Sequence, residues 1–316
     1  MKVYHHIDEF QKLENAVVTI GTFDGVHFGH KKIINRLTEV AAETGGESVI
    51  LTFFPHPRMI INPQDASLKL LTTITEKAEL LEQLRVDHLI ITPFTRDFSN
   101  LSAETYIQQV LVEKIGTKRI IIGYDHRFGK DRQGDLSHLQ KYAAEYGFEV
   151  EEIPEQDIHE VAVSSTQIRN ALSKGDVQTA ADFLGYPFYL TGKVIKGDRL
   201  GRQMGFPTAN LLIEETYKLI PADGIYAVKV EVIDPKTPGS KSDLLDAMAY
   251  IGTRPTISGM TRNIEVNIFN FDQEIYRQYL KVYFYHFIRE DKRFDSIDEL
   301  KHQIQLDKEA VLDLLR

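Results

Sequence analysis

At 316 residues the chain exceeds what one ordinary core accommodates and suits two domains. Its 42% hydrophobic content contains no apolar run approaching the ~18 residues of a membrane-spanning helix. The absence of cysteine excludes disulfides, thiolate metal sites and cysteine nucleophiles. A formal charge of −9 argues against a general nucleic-acid-binding face, but not against a local anion site of backbone amides and a few cations. The first residues, Met1 to His6, run into polar sequence without the apolar core of a signal peptide. These features lead us to expect a cytoplasmic protein.

The first half alternates buried strands with amphipathic helices. Ala16–Ile20 reads as a strand, and Ile33, Ile34, Leu37, Val40 and Ala41 mark a helix stopped by Gly45-Gly46. A second strand covers Ser48–Phe53. Thr73 with Glu76 forms a capping-box pattern opening a helix through Leu84. Strands follow at Leu89–Ile91 and Ile120–Ile122, separated by a helical stretch after Ser102. A helix from about Asp135 to Tyr146, ended by Gly147, precedes a strand at Phe148–Val150. Continuous apolar strands between helices predict an α/β domain with a parallel sheet covered on both faces.

After about Tyr186 the rhythm changes to short β-rich segments: Thr191–Ile195, Gly224–Ile233, Asp246–Ile251, Glu265–Phe269 and Lys281–Ile288. Turns rich in Gly, Pro and Asp separate them, predicting an antiparallel barrel or sandwich. Residues 234–242 read as an exposed loop, and the tail from Ile297 returns to helical periodicity. The expected boundary falls near Leu184–Phe188, giving domains 1–184 and 187–316.

The segment Gly21-Thr22-Phe23-Asp24-Gly25-Val26-His27-Phe28-Gly29-His30 ends the first strand and opens the first helix, where unpaired amides and the helix dipole attract phosphate. Gly25 and Gly29 permit a tight turn, and His27 and His30 project together from it. Two imidazoles there can donate hydrogen bonds to a reacting α-phosphate, chemistry that needs positioning and charge stabilisation but no protein nucleophile. The plainer alternative is a turn with two solvated histidines; a zinc site lacks a third ligand at useful spacing. A second helix start, Ser164-Ser165-Thr166-Gln167-Ile168-Arg169, suits β- and γ-phosphates, or is an ordinary N-cap. Neither a Walker A sequence nor a Gly-x-Gly-x-x-Gly fingerprint occurs.

In the second half, residues 192–210 form a glycine-rich stretch ending Gly205-Phe206-Pro207-Thr208-Ala209-Asn210. Thr208 and Asn210 lie on one side of an extended chain and offer the sparse neutral oxygens that suit Mg²⁺ alongside phosphate and water. A glycine-rich hairpin with two polar residues explains the same pattern.

These motifs carry a resemblance. His27-Phe28-Gly29-His30 and Ser164–Arg169 look like the nucleotidyltransferase superfamily. With Gly21–Val26, Phe53-Phe54-Pro55-His56-Pro57 and Gly123-Tyr124-Asp125-His126-Arg127-Phe128-Gly129, the first half resembles the adenylyltransferase part of bacterial bifunctional FAD synthetases. The second half is similar to riboflavin kinases: the flap, Pro207–Asn210, Tyr250–Thr256, and Glu265 on the strand after it. The resemblance covers about residues 10–315 and implies a Rossmann-like parallel sheet plus an antiparallel β-barrel with a terminal helix. It implies phosphorylation of riboflavin to FMN, then adenylylation to FAD with release of pyrophosphate; ATP is co-substrate, ADP a product and Mg²⁺ the cofactor.

On that resemblance, Gly21, Phe23, His27, His30, Ser164, Ser165, Thr166 and Arg169 bind ATP for adenylyl transfer, and Pro55, His56, Pro57 and Asp125 bind FMN. Gly197, Gly201, Thr208 and Asn210 bind the kinase ATP, with Thr208 and Asn210 holding the metal. Phe206, Arg289 and Phe294 border riboflavin, and Glu265 is the base. His126 replaces the family's usual Phe, Asn270 a common Asp, and Arg277 a usual Gly, so a reshaped hairpin is expected near Arg277. We expect a monomer or weak homo-oligomer, with neither nucleic-acid nor membrane partners. The alternatives are a nucleotidyltransferase for another phosphorylated substrate with a flavin-binding barrel, and a non-catalytic flavin sensor.

Overall fold

Apolar runs flanked by glycine and polar turns become the strands of two units. A computed structural model describes residues 1–65, 67–154, 163–197, 201, 204–235, 243–256 and 259–316, but not the side chains of residues 254–261. Flap residues 198–200, 202 and 203, most of the 234–242 loop, and the side chains of Arg254, Pro255 and Thr256 therefore lie outside the described residues.

The first unit runs β1 (Lys2–Tyr4), β2 (Ala16–Ile20), α1 (Phe28–Thr44), β3 (Glu47–Phe53), α2 (Pro57–Ile61), α3 (Ile74–Gln83) and β4 (His88–Thr92). It continues through α4 (Arg96–Ser99), α5 (Ala103–Thr105, passing into a π-helical stretch Tyr106–Ile115), β5 (Thr117–Gly123), α6 (Leu136–Tyr146) and β6 (Glu149–Ile153). All neighbouring strands pair in parallel, in the order β1-β4-β3-β2-β5-β6. Every residue of β2 and β4 is buried, as expected when helices cover both faces. Local signals set the helix ends. Gly45 and Gly147 take left-handed conformations after α1 and α6, and Thr73 and Glu76 close a complete capping box on α3.

The second unit contains α7 (Ser165–Leu172), α8 (Val177–Leu184), β7 (Tyr189–Ile195), β8 (Ala209–Leu212), β9 (Gly224–Ile233), β10 (Leu245–Thr256), β11 (Gly259–Ile268), β12 (Tyr279–Arg289) and α9 (Ile297–Leu314). Its six strands close into an antiparallel barrel, β10-β11-β8-β7-β12-β9, around fully buried Tyr226, Phe188 and Phe284. Compactness divides the chain into Met1–Ser165 and Thr166–Arg316, ahead of the boundary expected from the change of rhythm. The reason is local: Ala222 N–H donates to Leu172 O at 2.9 Å, and α8 packs on β12.

Arg277 does not reshape its turn. It adopts φ 71°, the left-handed geometry a glycine would take, and Asn270 does the same at φ 53°. Two backbone hydrogen bonds hold the Arg277 turn to β7, Arg277 N–H to Val194 O at 3.0 Å and Val194 N–H to Gln278 O at 2.9 Å.

The last helix is anchored chemically as well as by packing. Val311, fully buried, meets Ala227, Met248 and Phe269. The Arg289 guanidinium grips the Asp307 carboxylate through contacts of 2.8–3.1 Å, and Asp307 is only 3% exposed. Asp307→Ala would leave a largely buried guanidinium without its counter-ion, so barrel stability is expected to fall by about 3–5 kcal/mol. A urea melt of the full chain, followed through the barrel's tyrosines, measures this; an unchanged midpoint contradicts it.

Candidate active sites

In the sheet, the chain steps outward from β2 to β3 and β4, then returns to the other side of β2 to form β5. A parallel sheet opens a crevice outside the carboxyl ends of its strands at such a reversal. The loops after β2, β3 and β5 all end there.

The β2–α1 loop is tightly wound: Phe23 (φ 44°), Gly25 (φ 85°) and Val26 (φ 39°) are all left-handed. A buried carboxylate holds it. Asp24, 2% exposed, accepts hydrogen bonds from the backbone N–H groups of Leu71 (2.9 Å) and Thr72 (3.2 Å). The Thr72 hydroxyl accepts from Gly25 N–H at 3.2 Å, and Ser165 Oγ donates to Asp24 O at 3.0 Å. Gly21 lies under the Phe23 ring, which meets His30 edge-on at 5.3 Å.

His27 caps α1 without a side-chain cap bond, leaving the helix's first amides for another acceptor. Its imidazole stacks on that of His30, with centroids 3.7 Å apart and planes 18° apart. His30 Nδ1 is shut off from solvent and has no partner among the described residues. Burial, then His27, then Lys77 push the His30 pKa well below its ordinary value, so the ring is neutral near pH 7. The expected cluster of Gly21, Phe23, His27, His30 and Ser165 is thus assembled. Ser164 precedes α7, while Thr166 and Arg169 lie along α7 in the second unit.

After β3, the chain turns at Pro55, where the Phe54–Pro55 peptide is cis. His56 caps α2, its Nδ1 accepting from Arg58 N–H at 3.2 Å, with Pro57 at the first helical position. After β5, Asp125 is exposed on a loop pinned at both ends. Phe128 and Gly134 exchange backbone hydrogen bonds of 3.1 and 2.9 Å, and Lys130 N–H donates to Leu101 O at 2.7 Å.

His126 stacks on Phe128 at 5.7 Å and fills the aromatic position as a neutral ring. Among the described residues its Nε2 is closed off without a partner, and burial pushes its pKa down to about 4. A histidine depressed in the folded state contributes stability above the unfolded value near 6.5, and loses it as pH falls toward 4. His126→Phe is therefore expected to widen its melting-temperature advantage as pH drops from 7 to about 4.5. A difference independent of pH would sink this account.

In the barrel, antiparallel pairing sets Glu265 on β11 opposite Asn210 on β8. Thr208 Oγ donates to Glu265 Oε2 at 3.0 Å, and Asn263 Nδ2 donates to Oε1 at 2.7 Å, fixing both carboxylate oxygens. A Cβ at Gly197 would run into the Asn210 amide, and one at Gly201 into Phe206 O beside Thr208 Oγ. The glycines therefore let the flap ends close over the polar pair. Phe206 is half-buried and its N–H donates to Gly201 O at 2.8 Å. Arg289 lies 5.8 Å from the Phe294 ring centroid while engaged with Asp307.

Four participants escaped the sequence reading. Asp24 and Thr72 act through a long-range bond that no local pattern announces. Lys77 is 4% exposed and donates to Thr22 O at 2.6 Å; its signal was a lysine on the apolar face of α3, beside Leu80 and Leu81. Asn263 shares the face of β11 with Glu265, two residues away.

A parallel sheet with an anion-suited helix start, followed by a closed barrel that sets Thr, Asn and Glu together beside two glycines, defines a two-domain ATP-using transferase. Residues 9–167 match the family model of FAD synthetase and residues 184–315 that of riboflavin kinase. The chain is 37% identical to the bifunctional riboflavin kinase/FMN adenylyltransferase of Haemophilus influenzae, over 94% of both chains. It is 36% identical to the Listeria monocytogenes enzyme of that name, over 96% of this chain and 95% of the other. A crystal structure described as a macrolide-efflux protein from Streptococcus pneumoniae shares the fold, with TM-score 0.85 and 31% identity over 98% of both chains. No helix among the described residues is long and apolar enough to cross a membrane. The chain belongs to the bifunctional riboflavin kinase/FMN adenylyltransferase family. The barrel domain makes FMN from riboflavin, the sheet domain makes FAD from FMN, and both use ATP.

Proposed function

We propose that the two reactions divide between the two sets of side chains as follows, with the functional boundary at residues 184–187. In the barrel, Glu265 takes the proton of the ribityl hydroxyl as that oxygen bonds to the γ-phosphorus. The bond from the γ-phosphorus to the bridging oxygen breaks, and ADP leaves. The hydrogen bond from Thr208 to Glu265 carries this assignment, because it aims a held carboxylate at the flap's polar pair. Thr208 spends its hydroxyl hydrogen on Glu265, so its lone pairs, with the Asn210 amide oxygen, fit a sparse Mg²⁺ site. The metal would neutralise charge on the phosphates. Phe206, Arg289 and Phe294 border riboflavin, and Gly197 and Gly201 admit ATP.

In the sheet domain, a phosphate oxygen of FMN bonds to the α-phosphorus of ATP and pyrophosphate leaves. His27 and His30 donate to the α-phosphate, and the first amides of α1 hold its charge. Gly21, Phe23, Ser164 and Ser165 line the ATP, and Pro55, His56, Pro57 and Asp125 line the FMN. Thr166 and Arg169 are assigned to ATP on family likeness alone. We place the reactions in the cytoplasm, performed by a monomer or weak homo-oligomer.

Pure protein given riboflavin and Mg·ATP is expected to form FMN first and FAD later; given FMN instead, it forms FAD with equimolar pyrophosphate. Absence of both flavins would overturn the assignment.

A further inference from the structure

Lys77 has no place in the mechanism above, yet its surroundings are unusual for a lysine. The side chain is 4% exposed on α3, and its ammonium donates to the Thr22 carbonyl at 2.6 Å. Lysine is almost never fully buried unless it is paired, and burial disfavours its charge. The groups that act on it electrostatically are Asp24, which favours the charge, and His30, on which it acts in turn. Its neighbour Glu76 is committed to capping Thr73.

The bond to Thr22 O reaches the site through one peptide. That peptide is trans, so its Phe23 N–H points opposite to the Thr22 carbonyl and away from Lys77. Among the described residues the Phe23 N–H meets no protein acceptor. A cation on the carbonyl oxygen polarises the amide and strengthens the N–H as a donor.

We propose that Lys77 is a positioning residue for adenylyl transfer: its ammonium orients and polarises the Thr22–Phe23 peptide so that the Phe23 N–H donates to the phosphates of ATP. The same charge adds to burial and His27 in disfavouring the His30 imidazolium. This proposal rests on assigning the β2–α1 loop to ATP.

Burial pulls the Lys77 pKa down to about 8, with Asp24 opposing, so the charge is present below that pH and lost above it. For FAD formation from FMN, kcat/KM in the parent enzyme is therefore expected to fall as pH rises through about 8. Lys77→Arg keeps its charge and should abolish that fall up to about pH 9.5. Lys77→Met should lower kcat/KM at pH 7 by roughly 10- to 100-fold and show no alkaline fall, while riboflavin phosphorylation by the barrel stays unchanged. The shape of a pH profile does not depend on how much protein is folded, so the arginine variant decides even if the methionine variant is unstable. An alkaline fall preserved in Lys77→Arg, or absent from the parent, overturns the role of Lys77. Failure of the parent to make any FAD from FMN overturns the site assignment instead.

Discussion

Glu265→Gln is expected to lower FMN formation from riboflavin by about 10²–10⁴, the usual contribution of a positioned general base. Glutamine matches glutamate in shape, and its amide oxygen still accepts from Thr208 or Asn263, so the local bonds survive in part. What it cannot do is take a proton. The loss should therefore appear in kcat, with little change in KM for riboflavin. FAD formation from added FMN should stay within about two-fold of the parent, because Glu265 lies on barrel strand β11, bonded to Thr208 and Asn263 of the same unit. Normal phosphorylation by this variant would remove Glu265 from the mechanism and leave Thr208 and Asn210 as a binding site without a base.

The complementary experiment is His27→Ala. Here FAD formation should fall by roughly 10²–10³, the loss typical of removing one donor to a developing anion, while riboflavin is phosphorylated at the parent rate. The consequence in a riboflavin time course is direct: FMN accumulates and FAD does not follow. Because the two rings stack at 3.7 Å, removing one also frees the other to move. His27→Ala and His30→Ala should therefore be non-additive, with the double variant falling little further than the worse single one. Equal loss of both activities would point instead to unfolding of the chain.

The parts of the fold legible in the sequence were those written locally. The Thr73–Glu76 box, the Gly45 and Gly147 stops and the apolar runs of β2, β3 and β5 each depend on neighbours within one turn or one strand. β1 and β8 were missed because three or four residues give no alternation to read. The π-helical register of Tyr106–Ile115 was hidden as well, since Tyr106, Ile107, Val110, Leu111 and Ile115 look the same as an α-helical face. The candidate sites divide the same way. Glycine loops and helix starts are sequence patterns, so Gly21, His27, His30 and the flap were found. Asp24–Thr72 and Lys77–Thr22 are tertiary pairs separated by 48 and 55 positions; a lysine on the apolar face of α3 marks Lys77 as unusual, but nothing local names either pair's partner. At Arg277 propensity misled outright: two backbone bonds to β7 impose a geometry that arginine alone would avoid.

The clamp between Asp24 and Thr72 also has an implication for how such a protein can diverge. Chain leaving β3 carries Pro55–Pro57 at one end and is fastened to the β2–α1 loop at the other, by Leu71 and Thr72. Between these ends, residues 62–65 and 67–69 are mostly exposed and contain no helix or strand. Insertions or deletions in that span can lengthen or re-aim the Pro55–Pro57 rim, which we assign to flavin, while the clamp keeps the β2–α1 loop, which we assign to ATP, in place. On that assignment, change at the rim and change in the loop geometry are mechanically separated within one short connection.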